Sequence, residues 1–185
     1  LVKPIEVKNE TALKDAITAI GGTSDKIGFI KVKENFTLSG TINIPEGVNV
    51  TILDDGTART ITRAKKDISL FEVKSGATLL LVSTSKDNAN PTLTLDGGSA
   101  TITNTNGAAL IGVNGTVNVS QGVVLTNNKS EGNNQGFAIY SNPESTTVFS
   151  GVVSNIVGTH SSVKGNVFVI KGAFTLQDAI VRNNV

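Results

Sequence analysis

Ala109-Leu-Ile-Gly-Val-Asn-Gly-Thr-Val-Asn-Val-Ser-Gln-Gly-Val-Val-Leu-Thr-Asn-Asn128 and Asn166-Val-Phe-Val-Ile-Lys-Gly-Ala-Phe-Thr-Leu-Gln-Asp-Ala-Ile-Val-Arg-Asn-Asn184 are two copies of one pattern. Each is a short apolar run, a glycine corner, an alternating strand, a second apolar run and a closing asparagine. Gly107, Gly136 and Gly165 open three such units at steps of 29, and Asn127, Asn155 and Asn183 close them at steps of 28. A period of this size built from strand-type runs predicts a solenoid, in which each turn buries its apolar side against the next.

Within a unit, Val113-Asn-Gly-Thr-Val-Asn-Val119 matches Ile170-Lys-Gly-Ala-Phe-Thr-Leu176 in apolar alternation, and Val73-Lys-Ser-Gly-Ala-Thr-Leu79 reads as the same unit with one added residue. The period-2 pattern predicts that Val113, Val119, Ile170 and Leu176 point inward, with Asn118 and Lys171 pointing to water. Gly76, Gly115 and Gly172 are expected at corners, where the absence of a side chain frees the backbone. Asn tolerates left-handed backbone and its amide can bond to a copy of itself. Asn127, Asn155 and Asn183 are therefore expected to stack as a structural ladder. A carbohydrate-binding row is the alternative, and it requires outward-facing amides.

Working outward, the runs from Ile27 onward are short, rich in Val, Ile, Thr and Phe, and broken by Gly, Asn and Asp, as at Pro45-Glu-Gly47 and Asp54-Asp-Gly56. Residues 83–91 form a polar excursion. Before them, a strand over 2–7 precedes one helix, with Asn9 as cap, Leu13, Ala16, Ile17 and Ile20 on one face and Gly21-Gly22 as its stop. The expected architecture is all-β: a right-handed parallel β-helix of three faces and about six rungs over residues 27–185, capped by a strand and helix over residues 1–26. The chain begins at Leu1 and stops at Val185 in mid-pattern, which suggests a piece of a longer repeat protein.

Composition narrows the function. The 185 residues carry a net charge of +1 with only 17% charged side chains, which argues against nucleic acid as a partner. With 7 Phe, 1 Tyr and no Trp, ligand contacts would rest mainly on hydroxyls and amides. Cysteine is absent, removing disulfides, thiolate metal sites and cysteine nucleophiles. No apolar run reaches the roughly 20 residues that span a bilayer. No cofactor or metal is expected, and a monomer is.

Candidate chemistry is sparse. Asp54-Asp-Gly56 is the best acidic cluster and Asp96-Gly-Gly98 the next, and both read first as turns. Glu131, Glu144 and Asp178 are scattered and form no pair of the kind glycoside hydrolysis uses. Arg59, Arg63, Lys65 and Lys66 could meet a substrate carboxylate, but read first as a solvated basic run. His160 stands alone in a loop. No catalytic residue is assigned.

The units Leu70–Leu81, Thr92–Gly97, Ala109–Asn128 and Asn166–Asn184 resemble the repeats of bacterial surface β-helix proteins, adhesin-like and polymorphic-membrane-protein-like, within the pectate-lyase-like superfamily. The segment Asn9–Gly22 is similar to that superfamily's N-terminal helix. The resemblance implies secretion, a surface-anchored parent, and adhesion or scaffolding toward a host protein, a glycan or cell-wall polysaccharide. A polysaccharide-binding or lyase-like module is the alternative it leaves.

Overall fold

The computed structural model describes residues 3–98, 108–130, 137–158 and 167–185. Three parallel sheets form the sides of a β-solenoid, and the backbone visits them in rotation. The first sheet stacks β1 (Ile5–Val7), β2 (Ile27–Val32), β5 (Asn49–Leu53), β8 (Thr78–Val82), β11 (Thr116–Val119), β14 (Thr146–Phe149) and β17 (Ala173–Leu176). The second stacks β3 (Phe36–Leu38), β6 (Arg59–Arg63), β9 (Leu93–Asp96), β12 (Val123–Ser130), β15 (Val152–Gly158) and β18 (Ile180–Arg182). The third stacks β4 (Ile42–Ile44), β7 (Phe71–Val73), β10 (Ile111–Val113), β13 (Ile139–Ser141) and β16 (Phe168–Ile170). Counted from β2, five turns are complete and β17 and β18 begin another, one fewer complete turn than the sequence pattern suggests.

Alternation along each strand builds the core. Val50 and Ile52 of β5, Leu79 and Leu81 of β8, and Val117 and Val119 of β11 stand in register and are buried. Full burial of each such side chain contributes about 1.5–3 kcal/mol. Val113 and Val119 occupy the inward positions expected of them. Leu176 shares that parity, facing Phe149, yet is 52% exposed because no further turn of this chain lies over it. Ile170 is only half-buried for the same reason.

The other end is closed. Helix α1 (Glu10–Gly21) starts at Asn9, whose Oδ1 accepts from the Ala12 amide at 2.8 Å. Leu13, Ala16, Ile17 and Ile20 are buried beneath it. Gly28 lies at an inward position of β2, where a Cβ would overlap Ile20. The isoleucine therefore supplies the core volume that glycine leaves open. Glu10 ties the helix to the first turn by accepting from the Ser39 amide at 2.7 Å and hydroxyl at 2.8 Å, while Lys14 donates to its other oxygen at 2.6 Å.

Corners from the third sheet to the first come in two lengths. Residues 45–48, 74–77 and 142–145 form four-residue turns closed by an amide-to-carbonyl bond of 3.0, 3.0 and 3.3 Å. Their third residues, Gly47, Gly76 and Glu144, have φ of 73°, 71° and 67°, as a type II turn requires. Asn114-Gly115 and Lys171-Gly172 are two-residue corners and have no positive φ. Glycine is needed there because a Cβ on Gly115 would overlap the carbonyl oxygens of Ala77 and Lys74, and one on Gly172 those of Ser145 and Asn142. The registers Val113 to Val73 and Thr116 to Thr78 correct the sequence alignment. The 73–79 unit carries two added residues rather than one, and Gly76 and Gly115 are not equivalent.

These two corner types respond differently to a methyl group. Gly76→Ala meets a left-handed backbone and should cost about 1–2 kcal/mol. Gly115→Ala must push two turns apart against the 2.9 Å bond from the Thr116 amide to the Ala77 carbonyl. It should cost roughly 3 kcal/mol, as severe overpacking does. Thermal melts of the two variants check the order.

Candidate functional site

The acidic turn is the first place to look for chemistry, and its carboxylates are consumed by the fold. Asp54, the residue after β5, has no exposed surface. It accepts from the Gly56 and Thr84 amides at 2.8 and 2.9 Å, from the Thr92 hydroxyl at 2.7 Å and from the Thr84 hydroxyl. Burial pushes its carboxyl pKa up, but these four donors outweigh burial and hold it below the usual aspartate value. Asp54 thus pins both ends of the excursion between β8 and β9. Asp55 accepts from Arg59 Nε and Nη2 at 2.8 and 2.9 Å and pairs with Lys33 at 3.3 Å. The Arg59 bond, joined by Lys33 and partly opposed by burial, holds it well below the usual range.

The excursion is a strap. At its tip Asn88 Oδ1 accepts from the Gly122 amide at 2.8 Å, and Nδ2 donates to the carbonyls of Ser150 at 2.9 Å and Asp178 at 3.0 Å. One amide therefore joins the first-to-second-sheet corners of three successive turns.

The basic run does not assemble into a carboxylate-binding patch. Arg59 is paired with Asp55. Arg63 points inward at 3% exposure, where Nη1 donates to the Ile68 carbonyl at 3.3 Å and Nε and Nη2 have no partner among the described residues. Desolvation lowers its pKa, with Asp67 and Asp96 opposing. Glu144 and Asp178 both hold positive φ at turns. Gly107, Glu131, Gly136, His160 and Gly165 lie outside the described residues. Among the described residues no group of three His, Cys, Asp or Glu side chains could hold a metal, and no helix is long and apolar enough to cross a membrane.

The asparagines form an outward ledge on the second sheet. Asn127, Asn155 and Asn183 have φ of 58°, 55° and 55°; the first two interrupt β12 and β15 with one left-handed residue, and the third follows the end of β18. Asn155 Nδ2 donates to Asn127 Oδ1 at 3.3 Å, and Asn127 Nδ2 donates to Asp96 Oδ1 and Oδ2 at 3.1 and 3.0 Å. Asp96 accepts in turn from the Gly98 amide at 2.7 Å. The following asparagine turns inward: Asn128 is fully buried and donates to the Ala108 and Phe137 carbonyls at 2.8 and 2.7 Å. Asn184 accepts from the Ile156 amide at 2.9 Å. Thr62, Asp96, Gly98, Asn127, Lys129, Asn155 and Val157 line an open groove of ≈ 600 Å³ along this ledge.

Sequence reasoning missed the outward row of the third sheet, Asn43, Glu72, Gly112, Tyr140 and Val169, which register places side by side. Its signal was the middle residue of each apolar triple, Phe71-Glu-Val73, Ile111-Gly-Val113 and Ile139-Tyr-Ser141. Comparison with protein families, with curated proteins and with solved structures finds no match. The functional reading rests on the geometry above.

Two measurements probe these groups. The depressed pKa values of Asp54, Asp55 and Glu10, the last at about 2, contribute stability that is present above the unfolded carboxylate range and lost as pH falls through the folded values. Melting temperature should therefore drop steeply below pH ~4, where unfolded carboxylates begin to bind protons. Asp54→Asn should lower the plateau at neutral pH and flatten that drop. At the ledge, Asn155→Gly keeps the left-handed backbone and should change stability by less than ~1 kcal/mol. Asn155→Ala adds backbone strain of about 1–2 kcal/mol and should melt visibly lower.

Proposed function

We propose that this chain is a non-catalytic contact domain of a bacterial cell-surface protein, a stiff rod whose side walls meet host or matrix ligands outside the cell. The observation that carries this reading is the Asp96–Asn127–Asn155 ledge, which displays side-chain amides at one-turn intervals on a continuous backbone ladder. Successive turns lie about 4.8 Å apart, so five complete turns give roughly 24 Å of wall. Such a wall holds its polar groups at fixed spacing, and little entropy is lost when a ligand docks. The acidic turn that would be the natural place for catalysis supports the same reading, because Asp54 and Asp55 already spend their oxygens on Thr84, Thr92, Gly56, Arg59 and Lys33. The resemblance of its repeats to adhesin-like β-helix proteins is consistent with it.

A second reading, a polysaccharide-binding or lyase-like module, is favoured by the ≈ 600 Å³ groove beside the ledge. A row of amides spaced by one turn suits the repeating hydroxyls of a polymer. The experiment is solid-phase binding of the chain to matrix proteins, pectin, alginate and glycosaminoglycans, with chromatographic analysis of the polymers afterward. Binding without shortened or unsaturated products is expected, weakened by Asn155→Gly while the fold is retained. Product formation overturns the non-catalytic reading, and absence of binding to every surface tested overturns the contact role.

A further inference from the structure

The third sheet carries a notch whose chemistry is unlike the rest of the surface. In successive turns the outward residue is Glu72, then Gly112, then Tyr140, held in register by β7, β10 and β13. The flanking Phe71, Val73, Ile111, Val113 and Ile139 are buried, which fixes the middle residues to the outer side. Glu72 and Tyr140 are two turns apart, about 10 Å along the wall, and Gly112 between them puts no side chain of its own into the intervening space. The Glu72 carboxylate leans into that space, where a Cβ on Gly112 would overlap it. Among the described residues it has no hydrogen-bond or ion-pair partner. Ser69, Ala109, Phe137 and Asn142 complete a cavity of ≈ 290 Å³.

The upper wall is prepared in the same way. Tyr140 packs against Phe137 with ring centroids 5.7 Å apart, and Lys171 donates to its hydroxyl at 2.6 Å. Asn142 Nδ2 donates to Asn114 Oδ1 at 2.7 Å, which fixes the amide at the rim. The cavity thus offers an immobilised aromatic ring, a carboxylate acceptor opposite it, an amide to one side and an ammonium donor above.

We propose that this notch is a binding subsite for a neutral saccharide, one or two sugar rings in size. The proposal rests on the contact-domain reading and names the ligand class of one of its walls. A sugar ring has an apolar face of C–H groups that can lie on the tyrosine and an edge of hydroxyls that can donate to Glu72 and accept from Asn142 or Lys171. Charge decides against the alternatives. A cationic ligand would seek the ring face, but the Lys171 ammonium already sits 5.0 Å from the ring centroid and repels a second cation. An anionic sugar would meet the Glu72 carboxylate at the floor. The volume lies at the small end of ligand pockets, which run from about 300 Å³ upward, so a long polymer could place only one unit here. Among the described residues the cavity holds a single carboxylate, whereas glycoside hydrolysis generally takes two within roughly 5–10 Å, so the role assigned to the notch is to retain a sugar.

The test is isothermal titration and saturation-transfer NMR of the full chain with galactose, N-acetylglucosamine, lactose, glucuronate and choline, each alone. Binding of at least one neutral sugar is expected. Tyr140→Ala and Glu72→Gln should each weaken it roughly tenfold, and Asp15→Asn, at an exposed position of the capping helix, should leave it unchanged. Glu72→Gln preserves size and lies on the surface, so it reads the contact even if Tyr140→Ala disturbs packing. Neutral-sugar binding that survives both notch variants overturns the subsite and leaves the contact-domain reading intact. Binding of none of the neutral sugars, or of choline or glucuronate in their place, overturns the assignment. Chemical conversion of a bound sugar would overturn the non-catalytic reading itself.

Discussion

Every feature of this molecule depends on the parallel backbone ladder from one turn to the next. Because strands of successive turns pair in register, each corner must fit over the corner beneath it, whatever its length in residues. A two-residue corner at Asn114-Gly115 rests on a four-residue one at 74–77, and the next corner, 142–145, has four again. The chain meets this constraint in two ways. It uses a left-handed third residue where the corner is long, and it removes a side chain where the short corner crosses a carbonyl below. The two glycine uses are physically distinct: one relieves a torsion, the other a contact between turns.

The same stacking governs where polar groups can go. Inward positions are filled mostly by Val, Leu, Ile and Phe in the middle turns, and the polar exceptions differ: the Ser141 and Thr147 hydroxyls find no partner among the described residues, whereas others reach backbone carbonyls. Asn128 finds two such carbonyls and Arg63 finds one, which leaves two of its nitrogens buried without a partner among the described residues. That cost is of the kind usually compensated elsewhere. Asp54 is the opposite case, a buried carboxylate with donors enough to remain ionised, and it roots the strap that Asn88 carries across three turns. The excursion therefore binds the solenoid lengthwise, as the ladders do.

Much of the fold was legible because it is repetitive. The 28-residue spacing of Asn127, Asn155 and Asn183 follows from registered strands, and the capping helix announced itself through Asn9 and its apolar face. What was not legible depends on insertions that break the period. The corner at 74–77 is two residues longer than the one at Asn114-Gly115, so matching Gly76 to Gly115 places it one residue off. The Glu72, Gly112 and Tyr140 row escaped for a similar reason: its members are 40 and 28 residues apart, and each looks ordinary alone. Arg63 reads as part of a basic surface run because the sequence does not show that it shares the inward parity of Ile61, while Arg59, of the same parity, stands at the start of β6 where it reaches Asp55.

The ends and the walls of the solenoid follow different rules. At the first turn α1 covers the core, with Ile20 seated against Gly28, so that end offers no row of outward groups at a fixed spacing. The last turn exposes Leu176 and Val181, which are core-type or strand-edge residues without directed polar groups. On the walls, the fold is indifferent to side chain, since an outward position only has to avoid its registered neighbours. That freedom is visible in the differing chemistry of neighbouring rows: amides with a carboxylate on the second sheet, and a carboxylate, a gap and an aromatic ring on the third. A solenoid separates the residues that hold it together from those free to contact something else, and the outward rows are where a contact function can be built without weakening the ladder.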